Sequence, residues 1–350
     1  MDFQTAKSAN ELTSSQPVEI VCEEVSKQFP DEARPAVNQV SFQVKAGSFV
    51  VLLGPSGCGK TTLLKMINRL YEPTSGKIYV GGSEVHDLSA TQLRRRIGYV
   101  IQQVGLFPHM TIERNIAVVP RLLGWEPGTI DRRIRMLLEI VGLPQEYRTK
   151  YPRQLSGGEQ QRVGLGRALA ADPAILLMDE PFAAVDAINR NSLQEELLEI
   201  HRKVNKTIIF VTHDVEEAFR LADKIVIMKE GKLIQYDTPL EIVTHPCNDF
   251  VQELVGTQNM LRRLSLIHVQ AVLDGRSSWA SRQALADLAL NREIVIHPED
   301  DLRSVLALFL DSNAESLPVI DQHGREVGKI TFADLKAALL ENTPKPQTQD

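Results

Sequence analysis

Eight consecutive residues, Gly54-Pro-Ser-Gly-Cys-Gly-Lys60-Thr61, limit the fold of this chain more than any other part of it. They fit G-x-x-x-x-G-K-[ST] and lie between the apolar run Ser48–Leu53 and a helical pattern that begins near Thr61, the strand–loop–helix setting the motif needs. Glycines let the backbone curl so that successive N–H groups point at phosphate oxygens, and the helix N-terminus adds positive potential. The expected phosphate-binding set is Gly54, Pro55, Ser56, Gly57, Cys58, Gly59, Lys60, Thr61 and Thr62. Lys60 is placed to reach the outer phosphates, and Thr61 to offer its hydroxyl to Mg²⁺. The plain alternative is a Gly-rich turn with a capping Thr, but a chance match in a chain of ordinary composition is on the order of 1 in 100.

A phosphate loop of this kind calls for a parallel, covered sheet, and the rest of the chain agrees. After a first strand at Val18–Val25 and a second near Val40–Val44, apolar runs recur at Ile97–Ile101, Ala174–Met178, Thr207–Thr212 and Lys224–Met228 with helical patterns between several of them. This predicts an α/β layer with a mostly parallel sheet. The stretch from about 88 to 171 reads as an inserted helical subdomain, with Thr129 as the cap of a helix whose apolar face is Ile130, Ile134, Leu137, Leu138 and Val141. Lys229-Glu-Gly-Lys232 is a hairpin signal, and Thr238-Pro-Leu-Glu241 reads as a capping box. The first domain is expected over 17–255. Beyond it, Ile294–Ile296, the stripe Leu302, Val305, Leu306, Phe309 and Leu310, Leu317–Ile320, Val327–Ile330 and a helix from Phe332 form a small β-α-β-β-α pattern. Residues 1–16 and 341–350 read as frayed tails.

Composition excludes several classes. The 350 residues suit about two domains. A net charge of −6, from 39 basic and 45 acidic residues, lends nothing to a nucleic-acid footprint. No apolar run approaches the roughly 20 residues of a spanning helix. Met1–Gln16 lacks the pattern of a secretory signal, and Cys22, Cys58 and Cys247 are too few and scattered for a disulfide framework, which suits a reducing cytosol.

Asp179-Glu180 ends the Ala174–Met178 run. Beside a phosphate loop, Asp179 can hold the metal and Glu180 can polarise an attacking water. Leu155-Ser-Gly-Gly-Glu159 then opens a helix, and here the chain resembles the ATP-binding subunits of ABC transporters, whose signature reads LSGGQ or LSGGE. The resemblance covers residues 18 to about 245 and implies ATP and Mg²⁺ as cofactors. It implies two copies with ATP between one copy's phosphate loop and the other's Ser156, Gly157 and Gly158. Gln102 resembles the Q-loop glutamine that reaches Mg²⁺ and senses the membrane partner, and His213 the switch histidine at the γ-phosphate. Phe29 stands where the family stacks an aromatic on adenine. Asp186 resembles the D-loop aspartate, and equally suits a helix N-cap. Asp214 with Glu217 also makes a capping box. Two departures leave the catalytic groups in place: Ala-Val-Asp186 for the commoner Ala-Leu-Asp, and Gly164 with Gly166 inside the helix after the signature.

Val100-Ile-Gln-Gln-Val-Gly-Leu-Phe-Pro-His-Met-Thr111, with Asn115-Ile-Ala-Val-Val-Pro and Leu122-Leu-Gly-Trp125, is similar to one branch, the importers of quaternary-amine osmoprotectants such as glycine betaine, choline and carnitine. Residues 294–340 resemble one cystathionine-β-synthase (CBS) repeat, and 256–290 a degenerate first one, which makes 256–340 a CBS-like regulatory region. Thr331 and Asp334 suit either a ribose contact or a helix cap. The resemblance implies a homodimeric motor on the cytoplasmic face of the plasma membrane. It would work on integral-membrane permease subunits and, indirectly, a substrate-binding protein, with no nucleic-acid partner. The alternatives are an importer of another small solute, such as a polyamine or amino acid, and a soluble non-transport ABC ATPase.

Overall fold

A computed structural model describes residues 15–102, 105–183, 187–256, 295–312, 314, 316–322 and 324–341. They fall into two compact units, Met1–Tyr236 and Asp237–Asp350.

The first unit is built from β1 (Ile20–Lys27), β2 (Val37–Val44), β3 (Phe49–Leu53), α1 (Lys60–Ile67), β4 (Ser75–Val80), β5 (Ser83–Glu84), α2 (Ala90–Arg95), β6 (Ile97–Val100), α3 (Ile112–Leu122) and α4 (Pro127–Ile140). It continues with α5 (Gly157–Leu169), β7 (Ile175–Asp179), α6 (Ala187–Val204), β8 (Thr207–Thr212), α7 (Val215–Leu221), β9 (Lys224–Lys229) and β10 (Lys232–Asp237). A six-stranded sheet has the order β10-β9-β3-β8-β7-β6, and the pairs from β9 to β6 are parallel. All five residues of β3 are buried, as befits a strand covered on both faces. Its C-terminal end, beside those of β7 and β8, is where α/β sheets place ligands. The sheet turns back from β9 to β10 through Glu230-Gly231, both at positive φ (48° and 79°), the hairpin geometry the Lys229–Lys232 signal predicts.

β1 and β2 do not extend that parallel layer. With β4 and β5 they form an antiparallel sheet in the order β2-β1-β4-β5. β4 is invisible to a periodicity reading because only Ile78 and Val80 are buried in Ser75–Val80. The alternation in β1 breaks after Cys22: the register shifts between Cys22 and Val25, and Glu24 takes φ 48°. One apolar cluster joins both sheets through α1, with Leu63, Leu64, Met66 and Ile67 packed among Ile20, Val40, Leu52, Leu177 and Val211. Each such side chain contributes about 1.5–3 kcal/mol by leaving water.

In the helical stretch α4 starts three residues earlier than a cap at Thr129 predicts. Pro127, whose φ is preset for a helix, occupies its first turn, and the Thr129 hydroxyl accepts from Arg132 instead of capping. Buried Asn115 ties the loop before α3, accepting from Phe107 N (2.8 Å) and donating to Phe107 O (3.1 Å) and Met110 O (3.2 Å). Among the described residues no helix is long and apolar enough to cross a membrane.

The second unit contains α8 (Pro239–Thr244), α9 (Asp249–Val255), α10 (Leu302–Ser312), β11 (Ser316–Ile320), β12 (Glu326–Thr331) and α11 (Phe332–Glu341). Thr238 caps α8, but Glu241 turns to His245 Nδ1 (3.1 Å) rather than closing the box. Ile296 bridges Val319, β11 and β12 pair antiparallel, and Leu302, Val305, Phe309, Leu317, Ile330 and Leu335 form their core. Thr331 N donates to Asp334 Oδ2 (2.7 Å) and Asp334 N to Thr331 Oγ1 (3.4 Å), so these two residues make a helix cap. The degenerate repeat expected at 256–290 lies, apart from Gly256, outside the described residues.

Candidate functional site

The loop from β3 to α1 is shaped by three glycines at positive φ: 156° at Gly54, 79° at Gly57 and 104° at Gly59. Two of them are also sterically required. A Cβ on Gly54 would meet Met228 O at 2.2 Å, and one on Gly59 would meet Ala36 O at 2.2 Å. Gly57 faces open space, so the crest of the loop remains accessible. Lys60 is only 4% exposed, and its Nζ donates to Gly54 O (2.7 Å) and Pro55 O (2.9 Å). Cys58 packs beneath it, and burial pushes its thiol up, so it serves the loop as a small apolar filler.

Thr61 Oγ1 donates to Asp179 Oδ1 at 2.8 Å. Asp179 ends β7 and is 8% exposed; burial raises its carboxyl above the ordinary range, opposed by the Thr61 bond. An acid raised by burial weakens the fold once ionised, and this penalty disappears as pH falls through its raised value. Replacing Asp179 by Asn, which still accepts from Thr61, is therefore expected to raise the unfolding midpoint of the nucleotide-free chain by a few degrees near neutral pH. The gain over wild type should shrink as pH is lowered. Calorimetry across pH checks both signs.

Glu180 follows at φ 44°, held by its N–H on Val211 O (3.0 Å). Its Oε2 accepts from Gln102 Nε2 at 3.3 Å and lies 3.2 Å from His213 Nδ1. Residues from the ends of β6, β7 and β8 thus meet on one carboxylate. The capping expected of Asp214 is half present: Oδ1 accepts from Glu216 N (2.8 Å) and Glu217 N (3.3 Å). Glu217 leaves the box open and takes the Thr212 hydroxyl at 2.6 Å.

A cleft of about 490 Å³ runs over the loop, lined by Ser56, Gly57, Gly59, Lys60, Thr61, Thr62 and Glu180, with Phe29 among its other walls. Phe29 stands edge-on to Tyr71, with centroids 5.4 Å apart, and Lys27 Nζ sits 5.2 Å from its ring. The sequence reading missed the rest of the wall: Glu32, Arg34, Pro35, Ala36, Glu230 and Gly231. Only the hairpin signal at Lys229–Lys232 touched this region. Gly231 N donates to Cys58 O (3.1 Å), a tertiary contact no local pattern announces.

Ser156, Gly157 and Gly158 do not line this cleft. They stand at the N-terminus of α5, where Ser156 and Glu159 form a capping box: Glu159 N to Ser156 Oγ at 3.3 Å and Ser156 N to Glu159 Oε2 at 2.7 Å. Asp186 lies outside the described residues.

Comparison with known proteins bears on the family and the fold. The ABC transporter family pattern matches residues 37–183, and the CBS domain pattern residues 285–341. The chain is 44% identical to the glycine betaine/carnitine/choline transport ATP-binding protein of Bacillus subtilis, over 92% of this chain and 86% of that protein. It is 46% identical to the glycine betaine uptake system ATP-binding protein of Escherichia coli, over 89% and 97%. Among solved structures, a dimeric ATP-binding cassette in a post-hydrolysis state with ADP and Pi aligns at TM-score 0.56 and 31% identity, covering 63% of this chain and 98% of that one. Identity of this order, sustained across nearly the whole of both chains, is family membership: this chain belongs to the ABC transporter family, among its ATP-binding proteins.

Proposed function

We propose that this chain is the ATP-hydrolysing motor subunit of an importer for quaternary-amine osmoprotectants such as glycine betaine, choline or carnitine. The observation that carries hydrolysis is the convergence of Gln102 and His213 on Glu180 at the edge of the cleft over the phosphate loop. Lys60 and the loop N–H groups hold the phosphates, and Phe29 offers a face to the base. Glu180 takes a proton from the attacking water, with His213 and Gln102 orienting it. The Thr61 hydroxyl, the Asp179 carboxylate and the Gln102 amide oxygen are hard donors that suit Mg²⁺. Bound there, the ion would neutralise charge on the outer phosphates.

Ser156, Gly157 and Gly158 are assigned to the cleft of a second copy, and Asp186 to the interface between the two copies. The exposed N-terminus of α5 suits a phosphate, and a homodimer supplies it. Residues 17–255 are taken as the motor and 256–340 as the regulatory region; the compact units divide earlier, between Tyr236 and Asp237, so α8 and α9 count with the motor by sequence and with the second unit by packing. The segment Gln102–Thr111 meets the integral-membrane permease subunits, which places the chain peripherally on the cytoplasmic side of the membrane, with a substrate-binding protein as a further, indirect partner. The names of the relatives support the solute class.

The test is reconstitution of the chain with its permease and binding protein in vesicles containing ATP. Uptake of labelled betaine, choline or carnitine is expected. ATP hydrolysis without uptake of any of the three would overturn the solute class, and a chain that never co-purifies with a permease would overturn the transport reading.

A further inference from the structure

We propose that Arg190 is a positioning residue for hydrolysis, the cation that keeps the His213 segment on Glu180. This rests on the roles given to Glu180 and His213 above. His213 is exposed and sits in the short connection between β8 and α7, with its ring 3.2 Å from Glu180 Oε2. Both flanking residues are tied. The Thr212 hydroxyl donates to Glu217 Oε2 (2.6 Å) and accepts from Asp214 N (2.9 Å). Asp214 divides its two oxygens: Oδ1 caps α7, and Oδ2 accepts from Arg190 NH1 at 3.2 Å. The same guanidinium places Nε 3.8 Å from Glu217 Oε1.

Glu217 is 5% exposed, and burial pushes its carboxyl up while Thr212 and Arg190 pull it down. A carboxylate so placed needs a facing cation, and removing that cation frees both acids to rearrange. Glu180 and His213 belong to different strand–helix segments, β7–α6 and β8–α7. Arg190, on α6, joins the first segment to the residue next to His213 on the second. The planar fork of Arg serves two carboxylates at once, which the point charge of Lys does less well. A separate tie between the helices, Arg220 NH1 to Asn191 Oδ1 at 3.1 Å, remains when Arg190 is replaced.

The experiment compares Arg190→Met, Arg190→Lys, His213→Ala and the double variant Arg190→Met/His213→Ala in the full chain. It measures ATP turnover, nucleotide affinity and the unfolding midpoint. Arg190→Met is expected to lower kcat about tenfold with KM for ATP nearly unchanged and the unfolding midpoint somewhat lowered, because Glu217 loses its facing cation, and Lys to recover part of both losses. In the His213→Ala background the same change should cost less than about twofold, because the group it positions has gone. Wild-type kcat for Arg190→Met, or an equal loss in both backgrounds, would overturn the proposal. If Arg190→Met does not fold, Asp214→Asn carries the same comparison, since it retains the capping oxygen and weakens the ion pair. Glu180→Gln separates the two failures. Wild-type turnover there sinks the reading of the whole site, whereas an inactive Glu180→Gln beside a fully active Arg190→Met sinks only the role of Arg190.

Discussion

Replacing Glu180 by Gln is expected to abolish steady-state ATP hydrolysis while leaving ATP binding intact. General-base catalysis of this kind contributes about 10²- to 10⁴-fold, so turnover should fall by at least two orders of magnitude. The substitution preserves size and retains an acceptor for Gln102, but an amide takes no proton from water. The site tolerates it structurally for a specific reason. Glu180 holds a left-handed backbone (φ 44°) that most side chains avoid, and its N–H on Val211 O (3.0 Å) over-determines that conformation whatever the side chain. The Lys60 and Thr61 contacts that form the phosphate end are untouched. Phosphate release at saturating ATP, with nucleotide titration in parallel, makes the check. A rate within threefold of wild type would remove Glu180 from the base role.

The strand–loop–helix phosphate site was legible because its cause is local: glycines at fixed spacing, a Lys and a Thr, framed by an all-apolar strand. Asp179 and Glu180 were legible because a buried run must end somewhere and two acids mark where. The half-exposed antiparallel sheet was not. β4 buries just Ile78 and Val80, too little alternation to stand out from a turn-rich stretch. The Thr129 cap was misplaced since two good start signals, Pro127 and Thr129, lie within one turn and Pro won. The wall formed by Arg34, Pro35, Ala36, Glu230 and Gly231 joins segments about 200 residues apart, and nothing in either segment encodes their meeting. For the same reason the tie from Arg190 to Asp214 and Glu217 emerges only when the strands are side by side.

Replacing Lys60 by Met is expected to remove ATP binding while sparing the fold, which makes it the counterpart of the change at Glu180. In the nucleotide-free chain Lys60 is 4% exposed with Nζ on Gly54 O (2.7 Å) and Pro55 O (2.9 Å) and a weak third contact to Cys58 Sγ (3.8 Å), so its N–H donors serve the loop itself. Met fills nearly the same slot with an unbranched apolar chain. The loop loses two hydrogen bonds, each contributing about 1 kcal/mol net, and no longer has to hold a buried ammonium. These effects oppose each other, and the unfolding midpoint should move by only a few degrees. Binding has no such compensation. A unit charge about 4 Å from a phosphate oxygen is worth roughly 4 kcal/mol at an effective dielectric near 20, and part of that is already lost to water and Mg²⁺. Loss of about 3 kcal/mol corresponds to more than a hundredfold in Kd. Nucleotide titration beside thermal unfolding separates the two quantities. A Kd within fivefold of wild type would mean that the phosphates are held by the backbone cradle alone. Arg is not expected to rescue, because the Lys60 ammonium donates from one point to both the Gly54 and Pro55 carbonyls, and a planar guanidinium on a longer stem restores the charge without that geometry.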